Sequence, residues 1–326
     1  MNILIFSAVF YPAIGGIESQ TLLLIQEFVK KGHKVKVITY QQQKVTLPNI
    51  DIYYAPNYLD FLTAYRWCDT FYMPNISLKG LWLLLFNPRK RWVISHNDYH
   101  FFHGKGLIAK LKSFSVRYAT KNIAVSNSIA HRLNTSSLTI PNSYDESIFK
   151  IYPDEKREYD FVFLGRLVTQ KGCEMLIRAC KELNRPFTLG IIGIGTEKDR
   201  LENLTKELKL TNEVTFHGLV TKENLARLLN RHKVMIIPSI GEEGFGMVAL
   251  EGLACGCKIL AADAGGLSDA VSNFARKFQM GDTEELIKLL KDSFDDHTPA
   301  LTPELSAYLK LHHPENVADN YLQAFN

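Results

Sequence analysis

The sequence predicts an α/β chain built as two doubly wound parallel-sheet halves, and three observations carry that prediction. An apolar run, a glycine-containing turn, a stretch of helical periodicity and a second apolar run open the chain. The same alternation restarts after a charged, aperiodic stretch at Lys150–Asp160. The composition, 46% hydrophobic and 22% charged over 326 residues, is globular and large enough to bury a core without disulfide or metal support. At roughly 150 residues per domain, two domains are expected.

Asn2–Ser7, rich in Ile, Leu and Phe, reads as a buried parallel strand. Pro12 and Gly15-Gly16 make the turn, Leu22, Ile25 and Val29 give Ser19–Lys31 its helical period, and Gly32 stops it. Val35–Tyr40 completes a β-loop-α-β unit, which requires a right-handed crossover. Strands follow near Ile52–Tyr54, Thr70–Met73, Trp92–Ser95, Asn122–Val125 and Leu138–Ile140. The domain boundary falls in Lys150–Asp160, giving residues 1–152 as one domain and 153–305 as the other. In the second, Phe161–Leu164 is a strand and Gly172–Leu183 a helix; Phe187–Ile192, Val214–His217, Val234–Pro238 and Lys258–Ala262 are further strands. Residues 306–326 end in a helix that starts at Pro314, with Val317, Tyr321, Leu322 and Phe325 on one face, expected to pack back toward the first domain.

Charge is uneven. Residues 1–152 hold 17 Lys and Arg against 8 Asp and Glu, and residues 153–326 hold 21 against 26. A basic front half invites phosphates, acidic glycans, nucleic acid or an anionic lipid surface. Leu107, Leu111, Phe114 and Tyr118 share a helical face within Lys105–Lys121, and Lys105, Lys110, Lys112 and Arg117 lie off it. Such a basic amphipathic helix, with Arg89-Lys90-Arg91 after the apolar Leu81–Phe86, can dock the first domain on an anionic membrane surface or an anionic acceptor; the bland alternative is that its apolar face packs on the sheet and the cations are solvated. Five cysteines without a CxxC pair argue against a disulfide framework or a cysteine zinc site, and Cys255 and Cys257 read as half-buried thiols. The N-terminus lacks the pattern of a secretory leader, and the longest apolar run, Leu81–Phe86, is far short of the ~20 residues that span a bilayer. A cytoplasmic protein, able to attach to the inner face of a membrane, is expected.

Four segments carry chemistry. Ile237–Ala254 reads as strand, glycine-rich loop and helix. Its glycines admit a close ligand, and the helix start, at Gly246, Met247 and Val248, favours an anion. Glu243 lies in the loop and Glu251 eight residues on; the bland alternative is a helix capped by Glu243 with Glu251 solvated. Phe163–Gly172 ends a strand with Arg166 and Lys171, placed to neutralise a diphosphate, or else merely solvated. Gly15 and Gly16 offer backbone amides between the first strand and helix. His96 ends a strand, where it could hydrogen-bond a sugar hydroxyl; with His100 and His103 it raises a metal question that the loop spacing answers negatively. Gly193-Ile194-Gly195 imitates a dinucleotide fingerprint but has Lys198 in place of the third glycine.

Taken in order, FYPAIGGIE, HND, AVSNSIA, IPNSYDESIF, FLGRLVTQKG, GIIGIGTEKDRL, VTFHGLV and PSIGEEGFGMVALEGLACG resemble the retaining, nucleotide-sugar-dependent glycosyltransferases of family 4. The resemblance implies the GT-B fold, two facing Rossmann-like domains with a central cleft: acceptor domain first, donor domain second. It implies that Arg166, Lys171 and the amides at Gly246, Met247 and Val248 hold the donor diphosphate. Glu251 would bind the ribose, Glu243 and His96 the transferred sugar, Gly15 and Gly16 the distal phosphate and acceptor, and Gly193 and Gly195 the nucleotide. Catalysis would fall to Glu243, His96, Arg166 and Lys171, without metal or separate cofactor, using a donor that is UDP-linked by family default. The acceptor would be a hydroxyl of a glycan or lipid-linked sugar in surface polysaccharide or glycolipid synthesis, and nucleic acid is not a partner. Tyr99, Phe101 and Phe102 could cover the acceptor's apolar part. Ser143, Gly252-Leu253 and Cys257-Lys258 depart from the family pattern. The rival readings are a GT-B sugar-nucleotide epimerase or phosphorylase, and a non-catalytic donor-binding subunit.

Overall fold

The computed structural model describes residues 1–99, 106–295 and 301–326. The chain divides into two compact units, Met1–Ser143 with His312–Asn326, and Tyr144–Leu311. The division falls before the charged stretch at 150–160 because residues 144–152 are anchored to the second unit. Asn230 there accepts a hydrogen bond from the Tyr152 amide at 2.9 Å and donates one to the Lys150 carbonyl, also at 2.9 Å. A charged aperiodic run marks solvent exposure, not necessarily a domain joint.

The first unit is a seven-stranded parallel sheet ordered β3-β2-β1-β4-β5-β6-β7. Its strands are β1 Asn2–Phe6, β2 Lys34–Thr39, β3 Ile50–Tyr54, β4 Thr70–Met73, β5 Arg91–His96, β6 Lys121–Ala124 and β7 Leu138–Thr139. The helices are α1 Gly16–Lys30, α2 Tyr58–Trp67, α3 Leu78–Leu81 with a following 3-10 turn Trp82–Leu85, α4 Leu107–Ser115 and α5 Asn127–Arg132. One face of the sheet packs on α1 and on the C-terminal helix Pro314–Ala324, through Leu24, Phe28, Val317, Tyr321 and Phe325. The other face packs on Phe61, Tyr65, Leu83 and Val116. The basic helix read at 105–121 ends at Ser115 and a 3-10 turn, and Lys121 opens β6. Of the two readings of that helix, packing of its apolar side on the sheet does not hold: Leu111, Phe114 and Tyr118 are exposed. Lys105, His100, Phe101, Phe102 and His103 lie outside the described residues, as does the Leu107 side chain.

The second unit is a six-stranded parallel sheet ordered β10-β9-β8-β11-β12-β13. It comprises β8 Tyr159–Leu164, β9 Leu189–Ile192, β10 Val214–Gly218, β11 His232–Ile237, β12 Lys258–Asp263 and β13 Ala275–Gln279. Its helices are α6 Cys173–Lys181, α7 Lys198–Glu207, α8 Lys222–Asn230, α9 Met247–Ala254, α10 Gly266–Val271, α11 Thr283–Ser293 and α12 Pro303–Leu311. The final helix, Pro314–Ala324, is α13. Cys255 and Cys257 are fully buried, not half-buried, because the tight turn after α9 carries them beneath Arg157, which donates to the Cys255 carbonyl at 2.5 Å. Among the described residues no helix is long and apolar enough to cross a membrane.

Candidate active site

In the second unit the chain builds outward from β8 through β9 to β10, then returns to place β11 on the other side of β8. The loops leaving two such neighbouring strands diverge to opposite faces and open a crevice at the carboxyl edge of the sheet. Here those loops are 165–172, after β8, and 238–246, after β11, which are the two densest motifs of the sequence.

An ion pair joins them. Lys171 Nζ lies 2.6 Å from Glu243 Oε1, with the side chains 24% and 14% exposed. Ser239 Oγ donates to the same oxygen at 2.5 Å. The amides of Ile240 and Gly241 both donate to the Gln170 carbonyl, at 2.9 and 3.2 Å. Gly172 has φ 70°, and a Cβ there would stand 1.8 Å from the Pro238 carbonyl oxygen, so this approach of backbones requires glycine. On its other side Glu243 pairs with the loop after β12: its amide donates to Ala264 at 3.2 Å and its carbonyl accepts from Gly266 at 2.8 Å. Glu243 is therefore held by three loops, and it does not cap the helix that follows. Gly246 is the N-cap of α9, so the Met247 and Val248 amides head a helix whose first N–H groups lack intrahelical acceptors. Arg166, two residues past β8, is exposed and has no ion-pair partner among the described residues. Two cations and a helix start thus converge on one sheet edge.

Glu251 sits in the second turn of α9. Burial, and secondarily the Asp145 carboxylate, push its acid up to about 7. Gly193 and Gly195 leave β9 beside these loops. A Cβ on Gly193 would lie 1.9 Å from the Gly165 carbonyl oxygen, and one on Gly195 2.2 Å from that of Leu167. Both glycines are needed for the packing of loop on loop, whatever else they do.

The first unit has the same kind of switch point between β1 and β4. Gly15 caps α1 in extended backbone and Gly16 begins it. The Glu18 carboxylate folds over Gly15, with Oε2 2.1 Å from where a Cβ would be. His96 ends β5 and is 2% exposed, with Nε2 3.0 Å from Asn122 Oδ1. Burial lowers its pKa to about 4, so it is neutral at pH 7. Asn97 and Asp98 extend beyond it into a polar cluster: Asn75 Oδ1 accepts from the Asn97 amide at 3.1 Å, and Asn75 Nδ2 donates to Asp98 Oδ2 at 3.0 Å. Tyr99 is buried and donates to Ser128 Oγ at 2.6 Å.

The structure adds Ser239 and Asp145 to the residues picked from sequence. Ser239 stands inside a quoted motif, but nothing local ties it to Glu243. Asp145 reaches Glu251 across 106 positions of sequence, which no local pattern encodes. Among the described residues no group of three or more His, Cys, Asp or Glu could hold a metal ion.

Residues 145–303, nearly the whole second unit, match the sequence model of the family described as "Glycosyl transferases group 1". The chain is 34% identical over 152 residues, 44% of its length, to an uncharacterized glycosyltransferase of Methanocaldococcus jannaschii. That match spans 38% of the relative, and the chain spans less than half the length of the first curated relatives it matches. Two solved structures superpose over nearly everything. The sucrose-phosphate synthase of Thermosynechococcus elongatus gives a TM-score of 0.81 at 19% identity, covering 99% of this chain and 98% of its own. Anabaena Alr3699/HepE, in complex with UDP, gives 0.81 at 18%, covering 99% of each. The fold class is GT-B.

Proposed function

With residues 145–303 a group 1 glycosyltransferase domain, we propose that the chain is a retaining glycosyltransferase that moves a sugar from a nucleoside-diphosphate donor to a hydroxyl of a glycan or lipid-linked acceptor. The observation that carries this is the Lys171–Glu243 pair across the switch-point loops, with Arg166 and the start of α9 on the same edge. As the bond from sugar to diphosphate breaks, negative charge grows on the leaving group. Arg166, Lys171 and the Met247 and Val248 amides are preorganised donors for that charge, which lowers the barrier without reorganisation. Lys171 also orients Glu243, so one cation links the group that meets the sugar to the group that meets the phosphate. Retention follows if the acceptor attacks from the face the diphosphate leaves. Two side-chain cations take the place of a divalent metal. Uridine is the base of choice, supported by the complex of the Anabaena protein with UDP; surface polysaccharide or glycolipid synthesis is the setting.

The test is nucleotide release from UDP-, GDP- and ADP-sugars, with and without glycan or lipid-linked acceptors. Acceptor-dependent release is expected, insensitive to EDTA and ~100-fold slower in Lys171→Ala. Arg166→Ala should lose as much. Turnover that needs no acceptor would point to an epimerase, and EDTA inhibition reversed by Mg²⁺ would remove the metal-free mechanism. Turnover within a few-fold of the parent in both variants would remove the site.

A further inference from the structure

The face of the first unit opposite α1 carries an exposed apolar stripe bordered by cations. The connections β4 to β5 and β5 to β6 step in the same direction across the sheet. Right-handed crossovers therefore put α3 and α4 on one face, and Phe61, Leu83 and Val116 share the core beneath it. Val116, in the turn after α4, is buried at 2%. Ile108, Leu111, Phe114 and Tyr118 are 65%, 52%, 55% and 68% exposed. They recur at i, i+3, i+6 and i+10, an arc of about 120° turned away from the sheet. The Phe114 and Tyr118 rings lie 5.2 Å apart, so the stripe is continuous. On the same layer Leu85 and Phe86 are 83% and 58% exposed, with Phe86 5.8 Å from the Trp82 ring.

Isolated exposed apolar residues are ordinary, but a helix with its apolar arc outward is not. The surrounding charge says what covers it. Thr70–Tyr144 contains ten Lys and Arg and one acidic residue, Asp98. The segment 107–118 itself carries three cations, Lys110, Lys112 and Arg117, and no carboxylate; a helix of one sign suits an anionic plane better than a protein surface of mixed sign. Lys110, Lys112 and Arg117 flank the arc, where their stems can lie along acyl chains and their heads reach phosphates.

We propose that this face, α4 with the 3-10 turn after α3, docks in the headgroup layer of an anionic bilayer, the Ile108–Tyr118 arc entering the acyl boundary and the flanking cations meeting lipid phosphates. The docking does not depend on the reaction proposed above. The full chain is sedimented with phosphatidylcholine vesicles carrying 0 to 40 mol% phosphatidylglycerol. Binding is expected to rise with anionic lipid and to fall as NaCl is raised. Lys110→Ser/Lys112→Ser/Arg117→Ser should partition about 100-fold more weakly, at roughly fivefold per cation. Leu111→Ser/Phe114→Ser should lose binding while keeping the parent's thermal melt, because both positions are exposed. In Phe114→Trp, bromine-labelled acyl chains should quench the fluorescence. Binding indifferent to lipid charge, or none at 40 mol% and low salt, overturns the proposal. So does a dimer in sedimentation velocity that Leu111→Ser/Phe114→Ser dissociates, since a second copy would then be the occupant.

Discussion

Burial and the Asp145 carboxylate hold the Glu251 acid at about 7, so its charge changes across the neutral range. If ribose hydroxyls donate to it, the ionised form is the better acceptor, and binding should strengthen as pH rises from 6 to 8. UDP-glucose, whose diphosphate diester does not titrate there, is the suitable probe; calorimetry should show proton release near pH 7. Glu251→Gln should flatten the profile, and an unchanged profile would detach Glu251 from the ribose. His96 and His232 act in the opposite range. Burial lowers both to about 4, beneath their ordinary 6.5. The unfolded chain then binds more protons between pH 6.5 and 4, so the stability they confer is full above 6.5 and is lost on acidification, ~3 kcal/mol for each. Urea midpoints should fall steeply through that window, and His232→Gln should make the fall shallower. Two departures from the family pattern have a local cause. Ser143 donates through its amide and hydroxyl to Gln20 Oε1, at 2.8 and 2.9 Å. At Gly252 an added Cβ would lie 2.6 Å from Met235 Sδ, so alanine there would require the Met235 side chain on β11 to shift.

At the level of elements, the loops after β8 and β11 function as one piece because Gly172 lets their backbones touch. Gly172→Ala should cost more than about 1 kcal/mol. Gly281→Ala is the control: Gly281 also has positive φ, but nothing lies within 4 Å of its added Cβ. Equal losses in urea unfolding would mean that φ alone matters and that the loop contact is unimportant. Most elements were legible from periodicity, because β1, β4 and β11 are continuous apolar runs buried on both faces. β13 was not. It is an edge strand in which only Phe278 is buried, so Ala275–Gln279 shows neither an apolar run nor clean alternation. The orientation of α4 was left open between two readings for a related reason: its pattern defines an apolar face but not which way the face turns.

At the scale of the molecule, the C-terminal helix α13 completes the core of the first unit, although the chain reaches it last. Tyr321 and Phe325 meet Tyr72 of β4 at 5.7 and 5.4 Å, and Phe325 meets Phe28 of α1 at 5.5 Å. Lys31 adds an ion pair to Asp319 at 2.8 Å. Phe325→Ala should therefore destabilise the first unit by about 3–5 kcal/mol, the range for a fully buried phenylalanine. Hydrogen exchange should show protection lost from β1, β4 and α1 and kept in β8 and β11. Uniform loss across both sheets would mean that the units unfold together.

The sequence by itself determined the fold class, the positions of nearly all strands along the chain and the motifs that end them, because each depends on residues within a turn or two of one another. It also determined that 314–325 is an amphipathic helix. Only the tertiary structure decided that Lys171 and Glu243 form a pair, that Ser239 shares its oxygen, that His96 is held against Asn122, and that the arc of α4 faces outward. Those contacts join positions far apart in the chain through strand order and crossover hand, and a local pattern specifies a face without specifying what that face will meet.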